Sequence, residues 1–205
     1  MHELPNGAFK LNRSRGANGY VIPLGDGFAV VDPGMKSGAR AVISELAEAG
    51  FAGAVRHILL THYDVDHAGA ARAVAAAAGA RVWIGKADSE ILAGTRSSGT
   101  LARRVMSSVG RPKLPETVNF LGESADFPPE ITALPTPGHT PGHFSLVWNQ
   151  TVFSGDAAMV RADGTLKQFP RLLITDKAQA LASTAVLQNL NATWFCPGHG
   201  KPVQR

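Results

Sequence analysis

Thr61-His62-Tyr63-Asp64-Val65-Asp66-His67 is the stretch on which the reading of this chain turns. Two imidazoles and two carboxylates follow directly on the apolar run Val55-Arg56-His57-Ile58-Leu59-Leu60, which reads as a buried strand. Four such groups in one turn can converge on one or two divalent ions, since imidazole and carboxylate both bind zinc at about 2.0–2.2 Å. Without a metal the two carboxylates would repel and raise each other's pKa. A single His-x-Asp is an ordinary solvated turn; four metal-capable groups in one turn are not.

Outward from that turn, strand and helix patterns alternate, as in an α/β chain. Upstream, Gly19 to Leu24 and Gly27 to Asp32 are apolar runs joined by Gly25-Asp26, a hairpin signal. A helical period follows from Ser37 to Ala49, closed by Gly50. Downstream, Ala68 to Ala78 is alanine-rich and predicts a helix ended by Gly79, followed by a strand at Arg81 to Ile84. Strands are expected at Ile131 to Pro135, Phe144 to Trp148 and Thr151 to Ser154, the last two joined by Asn149-Gln150. A helix from Asp176 to Leu190, capped by Thr175 or Asp176, leads to a last strand at Thr193 to Cys196. Between Lys86 and Pro129, Gly94, Gly99, Gly110, Pro112 and Pro115 interrupt short helical pieces, and this segment reads as an insertion over one face of a single domain.

Three more motifs place chemistry at strand ends. Pro135-Thr136-Pro137-Gly138-His139-Thr140-Pro141-Gly142-His143 holds histidine in a stiff loop, which limits the entropy that ligation costs. Phe153-Ser154-Gly155-Asp156 sets an acid beside a glycine that permits close backbone approach. Cys196-Pro197-Gly198-His199-Gly200 repeats the glycine-flanked histidine. Composition bounds the rest. Over 205 residues, 44% hydrophobic and 18% charged, the chain is globular, and one cysteine rules out an internal disulfide. No apolar run is long enough to span a bilayer, and the N-terminus lacks a signal-peptide pattern, so a cytoplasmic protein without a membrane partner is expected. A net charge of +4 is a mild property of the surface.

In order and spacing these motifs resemble the metallo-β-lactamase-fold hydrolases, with their Thr-His-x-His-x-Asp-His, Pro-Gly-His-Thr, Ser-Gly-Asp and Pro-Gly-His-Gly sequences. Val30-Val31-Asp32-Pro33-Gly34 is similar to the family's early Asp-x-Gly turn, and the match runs from about Gly19 to Lys201. The resemblance implies a four-layer αββα sandwich of two mixed β-sheets with a metal centre at one edge. It implies that His62, position 64 and His139 bind a first ion, that Asp66, His67 and His199 bind a second, and that Asp156 bridges them. A hydroxide held between the ions would be the nucleophile. Asp66 would also have a catalytic role, orienting that hydroxide or taking its proton.

Position 64 departs from the pattern, because Asp64 stands where histidine is usual. A carboxylate adds negative charge and a harder donor. Its side chain is also shorter, so direct binding requires the loop to move inward. Two zinc ions, a site favouring iron or manganese, and an intact second site beside a weak first one all remain open, with zinc the expectation. Asp32 is expected to order the loop beneath the ions and His143 to hydrogen-bond around them. Tyr63 is expected either to line the mouth or to pack. Cys196 reads as a small core residue.

The substrate is expected to be small, with an ester, thioester or lactone bond. Phosphodiester cleavage, a mononuclear-iron sulfur dioxygenase using His62, His139 and Asp156, and a catalytically silent metal-binding protein are the alternatives. No nucleic-acid partner is expected, and the chain would be a monomer or homodimer. The one local clue is the acid-free stretch from Ile91 to Pro115, with Arg96, Arg103, Arg104, Arg111 and Lys113. Leu101, Val105 and Val109 recur there at helical spacing. Laid over the metal edge, such a helix would offer an apolar wall with cations to an anionic or acyl substrate. It could equally be a solvated basic face or a dimer contact.

Overall fold

Period-two alternation sends the side chains of each strand to opposite faces, and here both faces are covered. A computed structural model describes residues 1–108 and 110–205, with the side chains of 106–108 left aside. The first sheet takes β1 (His2–Glu3), β2 (Phe9–Lys10), β3 (Tyr20–Leu24), β4 (Gly27–Val31), β5 (Val55–Leu59), β6 (Arg81–Ile84) and β7 (Asn119–Phe120), in that order. It is antiparallel as far as β4 and parallel from β4 to β7. The second sheet draws on β8 (Thr132–Pro135), β9 (Phe144–Trp148), β10 (Thr151–Gly155), β13 (Trp194–Pro197) and β14 (Val203–Gln204), in the order β14-β13-β10-β9-β8. Between β10 and β13 the chain forms a separate hairpin of β11 (Met159–Val160) and β12 (Leu166–Lys167).

Val21, Val30, Ile58, Val82 and Ile84 point outward from the first sheet onto Val42 and Leu46 of α1 (Ala39–Glu48) and Val74 of α3 (Ala71–Ala78). Tyr20, Ile22, Ala29, Val31, Leu59 and Trp83 point inward, against Leu146, Phe153 and Cys196 of the second sheet. Val152 and Phe195 on the far face of that sheet pack with Leu187 of α6 (Lys177–Gln188). The result is the expected four layers, helix, sheet, sheet, helix. Cys196 is a buried core residue between the sheets. Asn149 and Gln150 both take left-handed conformations (φ 43° and 56°), as a two-residue turn matching the strand twist requires. Asp176 caps α6 through Gln179 N at 3.0 Å.

The expected helix from Ala68 is two helices, α2 (Val65–Ala68) and α3, broken at Gly69-Ala70. The break has a local cause. Ala70 N donates to Gly34 O at 2.7 Å, and a side chain at Gly69 would strike Lys36 N. The 86–129 segment supplies α4 (Lys86–Ala93), which buries Asp88 and Ile91, and α5 (Leu101–Ser108). No helix among the described residues is long and apolar enough to cross a membrane.

The parallel pairings decide where the site lies. Because β4 runs with β5, and β10 with β13, the C-terminal ends of all four strands meet at one edge of the sandwich. Asp32, the 61–67 turn, Asp156 and His199 follow those ends.

Candidate metal centre

Asp32 lies beneath the centre. Its backbone is left-handed (φ 47°), an uncommon conformation for a residue with a side chain, and its carboxylate is fully engaged. Oδ1 accepts from Thr61 N at 2.9 Å, and Oδ2 accepts from Thr61 Oγ1 at 2.6 Å and from His67 Nδ1 at 2.8 Å. With its proton given to Asp32, Thr61 Oγ1 takes the Nδ1–H of His62 at 3.0 Å. Both Nδ1 atoms are thereby held as donors, so that each ring in its neutral form presents Nε2 as a lone pair. Asp32 also lies within ligand distance of His62 and His67, but on their Nδ1 side, where its oxygens are already used.

The Nε2 lone pairs face two converging sets of donors. In one, Asp64 Oδ2 is 3.4 Å from His62 Nε2 and 3.1 Å from His139 Nε2, and His139 Nε2 is 3.6 Å from Asp156 Oδ2. In the other, His67 Nε2 is 3.9 Å from Asp66 Oδ2 and 3.4 Å from Asp156 Oδ1, while His199 Nε2 is 3.2 Å from Asp66 Oδ2 and 3.5 Å from Asp156 Oδ2. A tetrahedron with bonds of about 2.0–2.2 Å has edges of about 3.3–3.6 Å, so most of these separations are those of donors around an ion. His62 Nε2, His67 Nε2 and Asp156 Oδ1 are buried without a hydrogen-bond partner among the described residues, and such atoms are costly unless something else satisfies them. The residues present therefore fit divalent ions. Asp156 belongs to both sets. Gly198 is needed beside it, because a Cβ there would run into Asp156 Oδ1 and the His67 ring.

Charge points the same way. Burial opposes ionisation of Asp64 and Asp156, but the imidazoles against them, with Arg103 beside Asp64, hold both well below the usual carboxylate range. Asp66 is lowered too, its burial outweighed by His199 and His67. Burial likewise disfavours charge on His67, yet Asp156 and Asp32 raise it well above the ordinary imidazole value. His199, bonded to Asp156 and Asp66, is pushed up to about 9. The protons that His67 and His199 hold among these ionised carboxylates are ones that divalent cations can replace.

His143 stands behind these donors. Its Nδ1 meets Thr136 Oγ1 at 2.9 Å and its Nε2 accepts from Asp156 N at 3.1 Å, so both nitrogens are used in placing Asp156. Tyr63 does not line the mouth. It is 2% exposed and packs in the core beneath Arg103, because its side chain points away from the neighbouring ligands.

Three participants were not singled out from the sequence. Asp88, at the start of α4, accepts from Tyr63 N, Thr140 Oγ1 and Gly142 N at 3.1, 2.7 and 2.7 Å, tying the His62 and His139 loops together. Burial pushes its carboxyl up to about 6 against the pull of those bonds. Phe169 sets its ring 5.3 Å from that of His139 and 6.1 Å from that of His199. Arg103 is the third. The sequence placed it in a basic helix without a specific role, whereas its side chain is 1% exposed and forms a two-pronged ion pair with Asp64, at 2.7 Å for each bond. Leu101 and Val105 of that helix are 74% and 59% exposed, while Arg103 is turned inward to Asp64. Val109 lies outside the described residues.

Residues 13–199 match a family model described as the metallo-beta-lactamase superfamily. The chain is 29% identical over 198 residues to the Bacillus subtilis (strain 168) protein designated uncharacterized protein YobT, covering 90% of this chain and 83% of that one. Among solved structures, TTHA1623 in a di-iron-bound form superposes with a TM-score of 0.73 and 27% identity, over 96% of this chain and 93% of the other. The metallo-beta-lactamase family protein TTHA1429 from Thermus thermophilus gives 0.68 and 23%, over 98% and 75% of the two chains, a likeness of fold alone.

Proposed function

This chain belongs to the metallo-beta-lactamase superfamily, and on that premise we propose that it is a dinuclear metal-dependent hydrolase cleaving an ester, thioester or lactone bond of a small cytoplasmic substrate. The observation that carries this reading is the pair of donor sets sharing Asp156. His62, Asp64 and His139 would hold one ion; Asp66, His67 and His199 would hold the other. Bound there, divalent ions supply a water acidified towards neutral pH and a Lewis acid for the oxygen of the scissile group.

The chain's own groups do the rest. Asp32 and Thr61 keep the imidazoles of His62 and His67 in the ligating tautomer. His143 fixes Asp156 between the two sets. Asp66 is the most exposed carboxylate of the cluster, which suits it to orient the attacking water and take its proton. The Phe169 ring gives the site an apolar flank suited to an acyl group. Zinc suits the imidazole-rich donors. Iron is the second reading, favoured by the oxygen donor Asp64 and by the di-iron form of TTHA1623.

The test loads the purified protein with zinc, manganese or iron and screens lactone, thioester and phosphodiester panels, with metal content measured on the same samples. Two ions per chain and hydrolysis in one of the first two panels are expected, with Asp66→Ala and His67→Ala both abolishing turnover. One iron per chain with oxygen consumption would overturn the hydrolase reading. Inactivity on every panel would point to a binding protein.

A further inference from the structure

The two donor sets differ in one respect that the proposed function leaves unused. Both sets share the carboxylate of Asp156; the second adds Asp66, and among the described residues no lysine or arginine pairs with either of these two. The first contains Asp64, and Asp64 already has a cation. Arg103 Nη2 donates to Oδ1 and Nη1 to Oδ2, both at 2.7 Å, and the guanidinium lies 5.3 Å from the centre of the Tyr63 ring. One oxygen of Asp64 is thereby turned to Arg103 alone. The other, Oδ2, also lies 3.1 Å from His139 Nε2 and 3.4 Å from His62 Nε2. The pair is built in: Arg103 is buried, and its helix is started by Thr100, which accepts from Arg103 N at 3.3 Å through Oγ1 and from Arg104 N at 2.9 Å through its carbonyl.

We infer that Arg103 is a positioning residue that cancels the charge Asp64 brings and confines it to one donor oxygen. The first position then carries the formal charge of an imidazole-ligated site and is the weaker of the two for divalent ions. The physical basis is simple. A carboxylate shared with a guanidinium has less charge and fewer lone pairs to give an ion, and the guanidinium repels that ion through a medium of low dielectric. Helix α5 of the 86–129 segment thereby sets the affinity of a site whose other donors all come from strand ends and the β8–β9 loop.

The inference rests on the two-ion reading above, and the experiment separates them. Zinc and cobalt would be titrated in competition with a chromophoric chelator into the wild type, Arg103→Met, Arg103→Lys and the double variant Asp64→His/Arg103→Met. Two steps are expected of the wild type, the weaker one absent from His139→Ala. Arg103→Met should tighten the weaker step by about tenfold or more and leave the tighter step within about twofold. Arg103→Lys retains the charge and should stay near the wild type. The double variant, with a neutral imidazole and no cation, should also bind within about threefold of the wild type, because its formal charge is the same. It removes the unpaired buried carboxylate, so it answers the question even if Arg103→Met does not fold. An unchanged or weakened first-position step in folded Arg103→Met, or its loss from the double variant, overturns the inference. A wild type that takes one ion overturns the two-ion reading instead. The inference then stands if Arg103→Met takes a second ion and falls if it does not.

Discussion

The two halves of the candidate metal centre are built by different means. Asp66, His67, Asp156 and His199 all follow the ends of strands or the first turn of α2, and His67 is anchored through Asp32 to the neighbouring strand end. The half around Asp64 reaches outside the sheets, to a helix 39 residues away that supplies Arg103. One half inherits its geometry from the sandwich; the other depends on how a peripheral segment packs. Ligands fixed by the sheets are insensitive to surface change, whereas the properties of Asp64 can be altered by changes in α5.

The largest expected effect would break the comparison by removing what the halves share. Asp156→Ala deletes a donor from both sets and should abolish binding of both ions, whereas His139→Ala should cost only the first. Metal content by mass spectrometry decides between one ion lost and two. A smaller effect is expected from Asp32→Ala, which touches no ion but frees the His67 ring and Thr61. Loss of such a supporting carboxylate should weaken metal binding about 10- to 100-fold, more at the second position than the first, as read by chelator competition.

The mildest prediction concerns pH. His67 lies well above the ordinary imidazole value and His199 at about 9. Imidazoles raised in the folded state give stability that is complete below an unfolded-state value of about 6.5 and lost as pH rises through the folded-state values. Chelator-treated protein should therefore melt at progressively lower temperature from about pH 6.5 to 9. Metal-loaded protein should not, because ligation requires those rings deprotonated. Parallel melting curves for the two forms would contradict the charge state assigned to the second half.

The ligand motifs could be read in the sequence because each is local. A strand, a tight glycine- or proline-containing turn and a histidine or aspartate within a few residues leave little freedom for where the side chain goes, as at Gly155-Asp156 and Gly198-His199. The split of α2 from α3 was not legible. It depends on Ala70 N finding Gly34 O, a partner distant in sequence. Asp88 was hidden for the same reason, since its three bonds reach residues 25, 52 and 54 positions away. Which side α5 turns inward was not legible, because its apolar period was equally compatible with a substrate wall, a solvated face and a dimer contact. Here Leu101 and Val105 are outside, and the buried residue is a cation matched to a buried anion.

The sequence by itself therefore determined the alternation of strands and helices and the candidate histidines and aspartates at strand ends, while the four layers, the edge and the ligand set came from what its resemblance to the family implied. The elements follow from short-range periodicity, and the motifs from metal-capable residues a few positions apart in tight turns. The tertiary structure alone decided that Asp64 stands within reach of the first position with Arg103 attached to it, that His143 works through Asp156, and that Tyr63 belongs to the core. Each of these is a pairing between segments far apart in the chain. Which buried charge meets which partner is settled only when packing excludes water and leaves each polar atom with the neighbours it has.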